Sequence, residues 1–187
     1  MKKRFLKRKL CLVLLLSFVT LLLASCRNLP TKVLHGEELK KLSDNELFET
    51  VYSQTLDIVD SFPNEETALS KMSVEQKTVY ILSMYDMEIQ NGGLCQFFVN
   101  PSRSLAPYIE DSLYAIGAAD HKKLFTEFII NNNIDVNDLT SFIISGINDY
   151  IAQTKRYDFD SFNNKYIELP TLQSYITEYI RANIEKF

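Results

Sequence analysis

The thirteen residues from Glu88 to Asn100 constrain the fold more than any other stretch of this chain. They read Glu-Ile-Gln-Asn-Gly-Gly-Leu-Cys-Gln-Phe-Phe-Val-Asn, and a proline follows. Gly92 and Gly93 can adopt a positive φ without a steric penalty, so a helix can end there and the chain can take a new direction. The apolar residues after this turn, Phe97 and Phe98 among them, predict a short buried helix.

Amphipathic segments occupy most of the chain beyond residue 42. Ser43 and Ser73 each begin a capping-box sequence, with Glu46 or Gln76 three residues later, and apolar residues follow at helical spacing. The pattern predicts helices or helical turns at 44–60, 65–71, 74–91, 94–99, 105–116, 120–130, 139–153, 158–166 and 171–184. Short connections and the lack of alternating strand patterns predict an all-α, single-domain helical bundle of about seven or eight helices.

The positions of two further glycines indicate local features of the fold. Gly117 stands where the 105–116 helix would end, which is the usual place for a C-terminal glycine cap. Gly146 falls inside the 139–153 segment, where we expect it to mark a close helix contact and not a helix break.

The N-terminal residues have the composition of a targeting signal. Six of the first ten residues are Lys or Arg, and an apolar run from Leu10 to Leu23 follows. This run is shorter than the roughly 20 residues that span a bilayer, and it ends in small residues. The sequence Leu23-Ala24-Ser25-Cys26 resembles the lipobox of bacterial lipoprotein signal peptides.

The lipobox resemblance implies cleavage after Ser25 and acylation of the Cys26 thiol. It divides the chain into a signal peptide at 1–25, a tether at 26–42 and a globular domain at 43–187. We therefore expect an extracytoplasmic protein, attached through an N-terminal lipid to the cell membrane or envelope.

Charge and cysteine content restrict the function of the mature chain. Without residues 1–25 it has 14 basic and 24 acidic residues, a formal net charge of −10, which disfavours direct nucleic-acid binding. Cys95 is the one cysteine beyond Cys26, so no disulfide framework or cysteine metal site is expected. Neither His35 nor His121 belongs to a His-x-x-x-His or His-Cys cluster, and we predict no cofactor and no metal site.

Three segments together resemble the bacterial DNA-mimic protein family over about residues 73–187. They are 88–100, the Ala-Ile-Gly-Ala step at 115–118, and the acidic-aromatic C-terminal segment 159–187. The family motif falls on Asn91, Gly92, Gly93, Gln96, Phe97, Phe98, Asn100 and Gly117. The resemblance implies an all-α fold and a protein partner, bound through an acidic face that imitates the phosphates of DNA.

The polar motif residues Asn91, Gln96 and Asn100 are expected to be structural. We expect them to pair with backbone groups that the broken helix leaves free, because helix ends have unpaired N–H and C=O groups. Cys95 lies among apolar residues and is expected to be a buried, unreactive thiol.

Three functions remain open from the sequence. The first is a membrane-anchored, non-catalytic protein-binding module of inhibitor or immunity type, favoured by the lipobox. The second is an acidic DNA mimic that binds a nucleic-acid-binding protein, although export would separate it from such partners. The third is an enzyme whose site forms only in three dimensions around Cys95, Gln96 and His121.

Overall fold

The computed structural model describes residues 33–187. Within this range the chain forms eight α-helices, four short 3-10 helices and no β-strand, which confirms the predicted all-α fold. The α-helices are α1 (Asp44–Asp60), α2 (Glu65–Lys71), α3 (Val74–Val99), α4 (Ala106–Ala115), α5 (Ala119–Asn131), α6 (Ile147–Thr154), α7 (Phe159–Glu168) and α8 (Leu172–Ala182). The 3-10 helices are Leu39–Lys41, Pro101–Leu105, Thr140–Phe142 and Ile184–Lys186.

Helix α3 is the central element and packs against α1, α4, α7 and α8. Its aromatic residues Tyr85, Phe97 and Phe98 are fully buried, as predicted for the two phenylalanines. The Tyr85 ring meets the rings of Phe97 and Phe125 edge-on, with centroids 5.2 and 5.6 Å apart. Such edge-to-face pairs add to the stabilisation that burial alone provides.

Both predicted capping boxes are present. The Ser43 hydroxyl accepts the Glu46 N–H, and the Glu46 carboxylate accepts the Ser43 N–H, so α1 begins at the expected residue. Ser73 and Gln76 form the same reciprocal pair at the start of α3. Each box satisfies N–H groups that the first turn of a helix leaves without an intrahelical partner.

The contacts of the compact unit include residues before 43, where the sequence places the start of the globular domain. The backbone of Leu34 is held by Gln54 of α1 through two hydrogen bonds, of 2.8 and 3.2 Å. Leu39 is fully buried, and Arg181 of α8 donates a 2.6 Å hydrogen bond to the Leu42 carbonyl. The sequence of residues 34–42 shows no helical spacing of apolar residues, because individual side-chain and backbone contacts, and not one face of a helix, hold this segment against the domain. Residues Leu34–Phe187 form one compact unit.

The prediction of one continuous helix over residues 139–153 was wrong. Thr140–Phe142 forms a 3-10 turn, and α6 begins only after Gly146, whose backbone is extended with φ 177°. Apart from its two chain neighbours, no residue has a heavy atom within 4 Å of the place that a Gly146 Cβ would occupy, so this glycine marks a break and not a close contact. Phe142, before the break, is buried in the core, whereas Ile147, after it, is 70% exposed.

No helix among residues 33–187 is long and apolar enough to cross a membrane. The predicted signal peptide, with Ser25 and Cys26 at its end, lies outside the described residues.

Candidate functional site

Helix α3 is broken at the two glycines of the family motif. Gly92 has φ −157° and ψ 18°, and Gly93 has φ 77° and ψ 178°, so neither residue is helical. The positive φ at Gly93 lies in the region that favours glycine. The chain therefore changes direction there, as the sequence predicted, and two helical halves meet at a kink.

Each glycine leaves room for the amide of another residue. A Cβ at Gly92 would collide with the side-chain oxygen of Gln96, and a Cβ at Gly93 would collide with the Asn163 amide. Asn163 belongs to α7, and its Oδ1 accepts the N–H of Leu94 at 3.0 Å. The amide of Asn163 thus caps the second half of α3 from a neighbouring helix.

A buried carboxylate joins the two halves of the kinked helix. Glu88 is 7% exposed, and its Oε2 accepts hydrogen bonds from Gln96 Nε2 at 2.7 Å and Asn100 Nδ2 at 2.8 Å. Its Oε1 accepts the Ser102 hydroxyl at 2.7 Å. We call these four residues the Glu88 cluster. Three neutral donors satisfy the carboxylate without a cation, which is the condition for burying it at tolerable cost.

The roles predicted for the polar motif residues were therefore wrong in detail. Gln96 and Asn100 donate to the Glu88 carboxylate and not to free backbone groups. Asn91 is exposed, and its side chain forms no hydrogen bond with the residues that the structure describes. The residue that accepts a free backbone N–H at the kink is Asn163. It lies 69 residues beyond Leu94, so no local sequence pattern predicts this pairing.

Gly117 occupies the predicted C-terminal cap. Its φ is 74°, its N–H donates to the Tyr114 carbonyl at 3.1 Å, and the Ala118 N–H donates to the Leu113 carbonyl at 3.0 Å. These two bonds define a Schellman motif at the end of α4. The Ala-Ile-Gly-Ala step of the family motif is therefore a turn between α4 and α5.

The three residues proposed for an enzyme site have separate partners. Cys95 is buried, and burial raises the pKa of its thiol to about 11, so the thiol is protonated at neutral pH. His121 Nε2 donates to the Pro170 carbonyl at 2.8 Å, and its ring packs against Tyr166 and Tyr175. The Gln96 amide donates to Glu88. Cys95, Gln96 and His121 thus each have other partners, and no base is hydrogen-bonded to the Cys95 thiol among the described residues.

Metal-ligand side chains are dispersed in the same way. Among residues 33–187 no group of three or more His, Cys, Asp or Glu side chains could hold a metal ion.

A row of exposed carboxylates lies on α1. At 100° per residue, four exposed carboxylates fall within an arc of about 80°, on the side of α1 opposite to its buried Leu47, Val51 and Thr55. We call this row the acidic stripe. It consists of Glu46, Glu49, Asp57 and Asp60.

The acidic stripe is not neutralised by ion pairs. None of its four residues forms a salt bridge with a described residue, and no Lys or Arg occurs between residues 44 and 70. The hydroxyl and N–H of Ser43 lower the pKa of Glu46, so this carboxylate stays charged. Two more acids follow on α2, where Glu65 accepts hydroxyl hydrogen bonds from Tyr80 at 2.7 Å and Ser104 at 2.6 Å.

Comparison with known proteins agrees with the family resemblance of the sequence. The model of the family described as DMP19-like protein matches residues 70–183, more than half of the chain. No curated protein and no solved structure gives a significant match. The matched range contains the kink, the Glu88 cluster and Gly117, and it begins after the acidic stripe. The chain belongs to the DMP19-like protein family.

Proposed function

We propose that this domain is a non-catalytic protein-binding module that competes with DNA for a basic, nucleic-acid-binding partner. Family membership supports the class of function. The acidic stripe on α1 is the surface to which we assign this binding, because its carboxylates are exposed and form no salt bridge with a described residue. Exposed charges of one sign attract an oppositely charged partner and accelerate its association.

The number of carboxylates in the acidic stripe can be compared with the number of phosphates in DNA of the same length. With a rise of 1.5 Å per residue, its four carboxylates extend over about 21 Å of helix. One DNA strand carries a phosphate about every 3.4 Å along the helix axis. The stripe alone supplies fewer charges than one strand over that length. Two more acids, Glu65 and Glu66, follow in the sequence at the start of α2.

Charge-neutralising variants test this proposal. A Glu49→Gln, Asp57→Asn, Asp60→Asn triple variant removes three charges from the stripe and leaves the Ser43–Glu46 capping box intact. The matched control, Asp111→Asn, Asp160→Asn, Glu168→Gln, removes three exposed charges elsewhere. We expect the unmodified domain and the control to retain DNA-binding proteins from cell extract, and double-stranded DNA to release them. The stripe variant should lose this retention.

The result that would overturn the surface assignment is equal retention by both triple variants. Retention that excess double-stranded DNA does not reduce would overturn the DNA-mimic reading as a whole.

A second candidate function follows from the first 26 residues. The basic region, the apolar run and Leu23-Ala24-Ser25-Cys26 support a lipid-anchored, extracytoplasmic domain of inhibitor or immunity type. In that compartment the acidic stripe would bind a basic surface of a protein that does not bind DNA. Two or more acyl chains at Cys26 would provide stable membrane attachment.

Metabolic labelling with a fatty-acid probe separates the two candidates. Label that is lost in Cys26→Ala, in protein recovered with membranes, supports the anchored domain and leaves a cytoplasmic DNA mimic without its target. Unlabelled protein in the cytoplasm would remove the anchored candidate.

A further inference from the structure

Asn91 is the polar residue of the family motif that the Glu88 cluster does not use. Gln96 and Asn100 donate to the Glu88 carboxylate, whereas Asn91 is exposed and its side chain forms no hydrogen bond with any residue from 33 to 187. Asn91 is also the one asparagine of the chain that a glycine follows, and this glycine, Gly92, is exposed as well. A free side-chain amide therefore stands next to an accessible peptide group.

An asparagine that precedes a glycine has a reactivity of its own. The backbone nitrogen of the following residue can attack the side-chain amide carbon, and a side chain on that residue obstructs the approach. Glycine has no side chain and restricts the backbone least. Asparagine is one of the thermolabile residues of proteins. Residues 91 and 92 meet the steric condition for this reaction.

A regular helix would protect Asn91, because it holds each peptide N–H in a hydrogen bond and fixes the backbone. Helix α3 loses its regular backbone directly after Asn91. Gly92 has φ −157° and ψ 18°, and Gly93 has φ 77° and ψ 178°. The N–H of Leu94 donates to the side chain of Asn163 and not to the preceding turn. The local opening that frees the Gly92 nitrogen is therefore easier here than inside an unbroken helix.

We propose that Asn91 is a site of spontaneous deamidation, which converts it mainly to isoaspartate. Hydroxide or a buffer base removes the proton of the Gly92 N–H, and the nitrogen attacks the side-chain carbonyl carbon of Asn91. A C–N bond forms, the bond to the side-chain NH2 group breaks, and this group takes a proton from solvent and leaves as ammonia. Water then opens the succinimide. Addition at the side-chain carbonyl gives aspartate, and addition at the backbone carbonyl gives isoaspartate.

Isoaspartate would lengthen the chain at the kink. The main chain would pass through Cβ and Cγ of residue 91, which inserts one methylene group between Glu88 and Gln96. The 2.7 Å hydrogen bond between these residues spans the kink, and the 3.0 Å bond from Leu94 to Asn163 lies directly after it. We expect the inserted group to displace both contacts and to destabilise the fold. The reaction would thus limit the lifetime of the domain whatever its binding partner is.

Mass spectrometry of the full chain, incubated in mildly alkaline buffer and digested at intervals, measures the reaction. Deamidation raises the mass of a peptide by the difference between water and ammonia, and chromatography separates the aspartate and isoaspartate products. Asn45 and Asn164 are internal controls, because both are exposed and neither precedes a glycine. We expect Asn91 to react at least about tenfold faster than either control. An equal or slower rate would overturn the proposed site, and a product that is mainly aspartate would overturn the isoaspartate assignment.

Two variants separate the effect of the inserted methylene from the effects of charge and of incubation. Freshly prepared Asn91→Asp carries the new charge without the longer chain, and Asn91→Ser cannot form the succinimide. We expect the isoaspartate form, purified from the incubated chain, to unfold at a lower denaturant concentration than Asn91→Asp, and incubated Asn91→Ser to keep its initial stability. Equal midpoints for the isoaspartate form and Asn91→Asp would overturn the effect on the kink. An equal loss of stability in incubated Asn91→Ser would assign the change to another residue.

Discussion

The side-chain amide of Gln96 reaches back across the kink of α3 and donates a 2.7 Å hydrogen bond to the carboxylate of Glu88. These residues belong to different halves of the helix, eight positions apart. The space for this contact exists because Gly92, which lies between them, has no side chain. The glycines and the polar residues of the family motif therefore form one structural unit.

Glu88→Ala should lower the free energy of unfolding by about 3 kcal/mol, because it leaves the half-buried donors of Gln96 and Asn100 and the buried hydroxyl of Ser102 without an acceptor. Glu88→Gln keeps the shape of the side chain and should cost less. Denaturant titration measures both, with Asp111→Asn as an exposed control that should change stability by under about 0.5 kcal/mol. Equal stability of Glu88→Ala and the control would show that the cluster contributes nothing.

Gly93→Ala should destabilise the protein more than Gly117→Ala. Both residues have a positive φ, which costs an alanine roughly 1–2 kcal/mol. A Cβ at Gly93 would in addition collide with the Asn163 amide, whereas nothing lies within 4 Å of a Cβ at Gly117. Gly93 also has ψ 178°, a combination with positive φ that is essentially restricted to glycine, so both its backbone and the collision should make its variant the less stable in thermal unfolding. Equal losses would indicate that Asn163 moves aside freely.

Asn163→Ala should cost about 1 kcal/mol, the usual loss when a helix cap is removed. Faster hydrogen exchange at one backbone N–H is a more specific sign of the lost cap than the loss of global stability. The Leu94 N–H, which donates to Asn163 Oδ1, should exchange with solvent faster in the variant. Hydrogen exchange resolved by residue measures this, with the adjacent exposed Asn164→Ala as control. Unchanged protection at Leu94 would contradict the assignment of Asn163 as a cap.

The buried thiol of Cys95 should make the folded state less stable at high pH. Its pKa is about 11 in the folded protein and near the ordinary 9.0 after unfolding. Above pH 9 the unfolded chain therefore holds fewer protons, so the free energy of unfolding falls as the pH rises towards 11. The stability of the parent chain should thus fall more steeply over this range than that of Cys95→Ala. Parallel pH profiles from denaturant titration would contradict this.

Local patterns were sufficient to predict most of the helices. The capping boxes at Ser43 and Ser73 and the glycine cap at Gly117 act within one turn of chain, so residue types at fixed spacing reveal them. The break at Gly92 and Gly93 was predictable for the same reason. The contacts of the segment before Ser43 were not predictable, because they depend on Gln54 and Arg181, which are distant in sequence.

By itself, the sequence determined the all-α class, the acidic net charge, the kink of α3 and the family. Each of these depends on composition, on local backbone preference or on a motif of adjacent residues. Only the tertiary structure decided what the motif does. Glu88 is buried because the kink turns Gln96 and Asn100 towards it, and Leu94 is capped because α7 brings Asn163 to the gap left by Gly93. Such pairings depend on how helices pack, and no spacing along the chain encodes them.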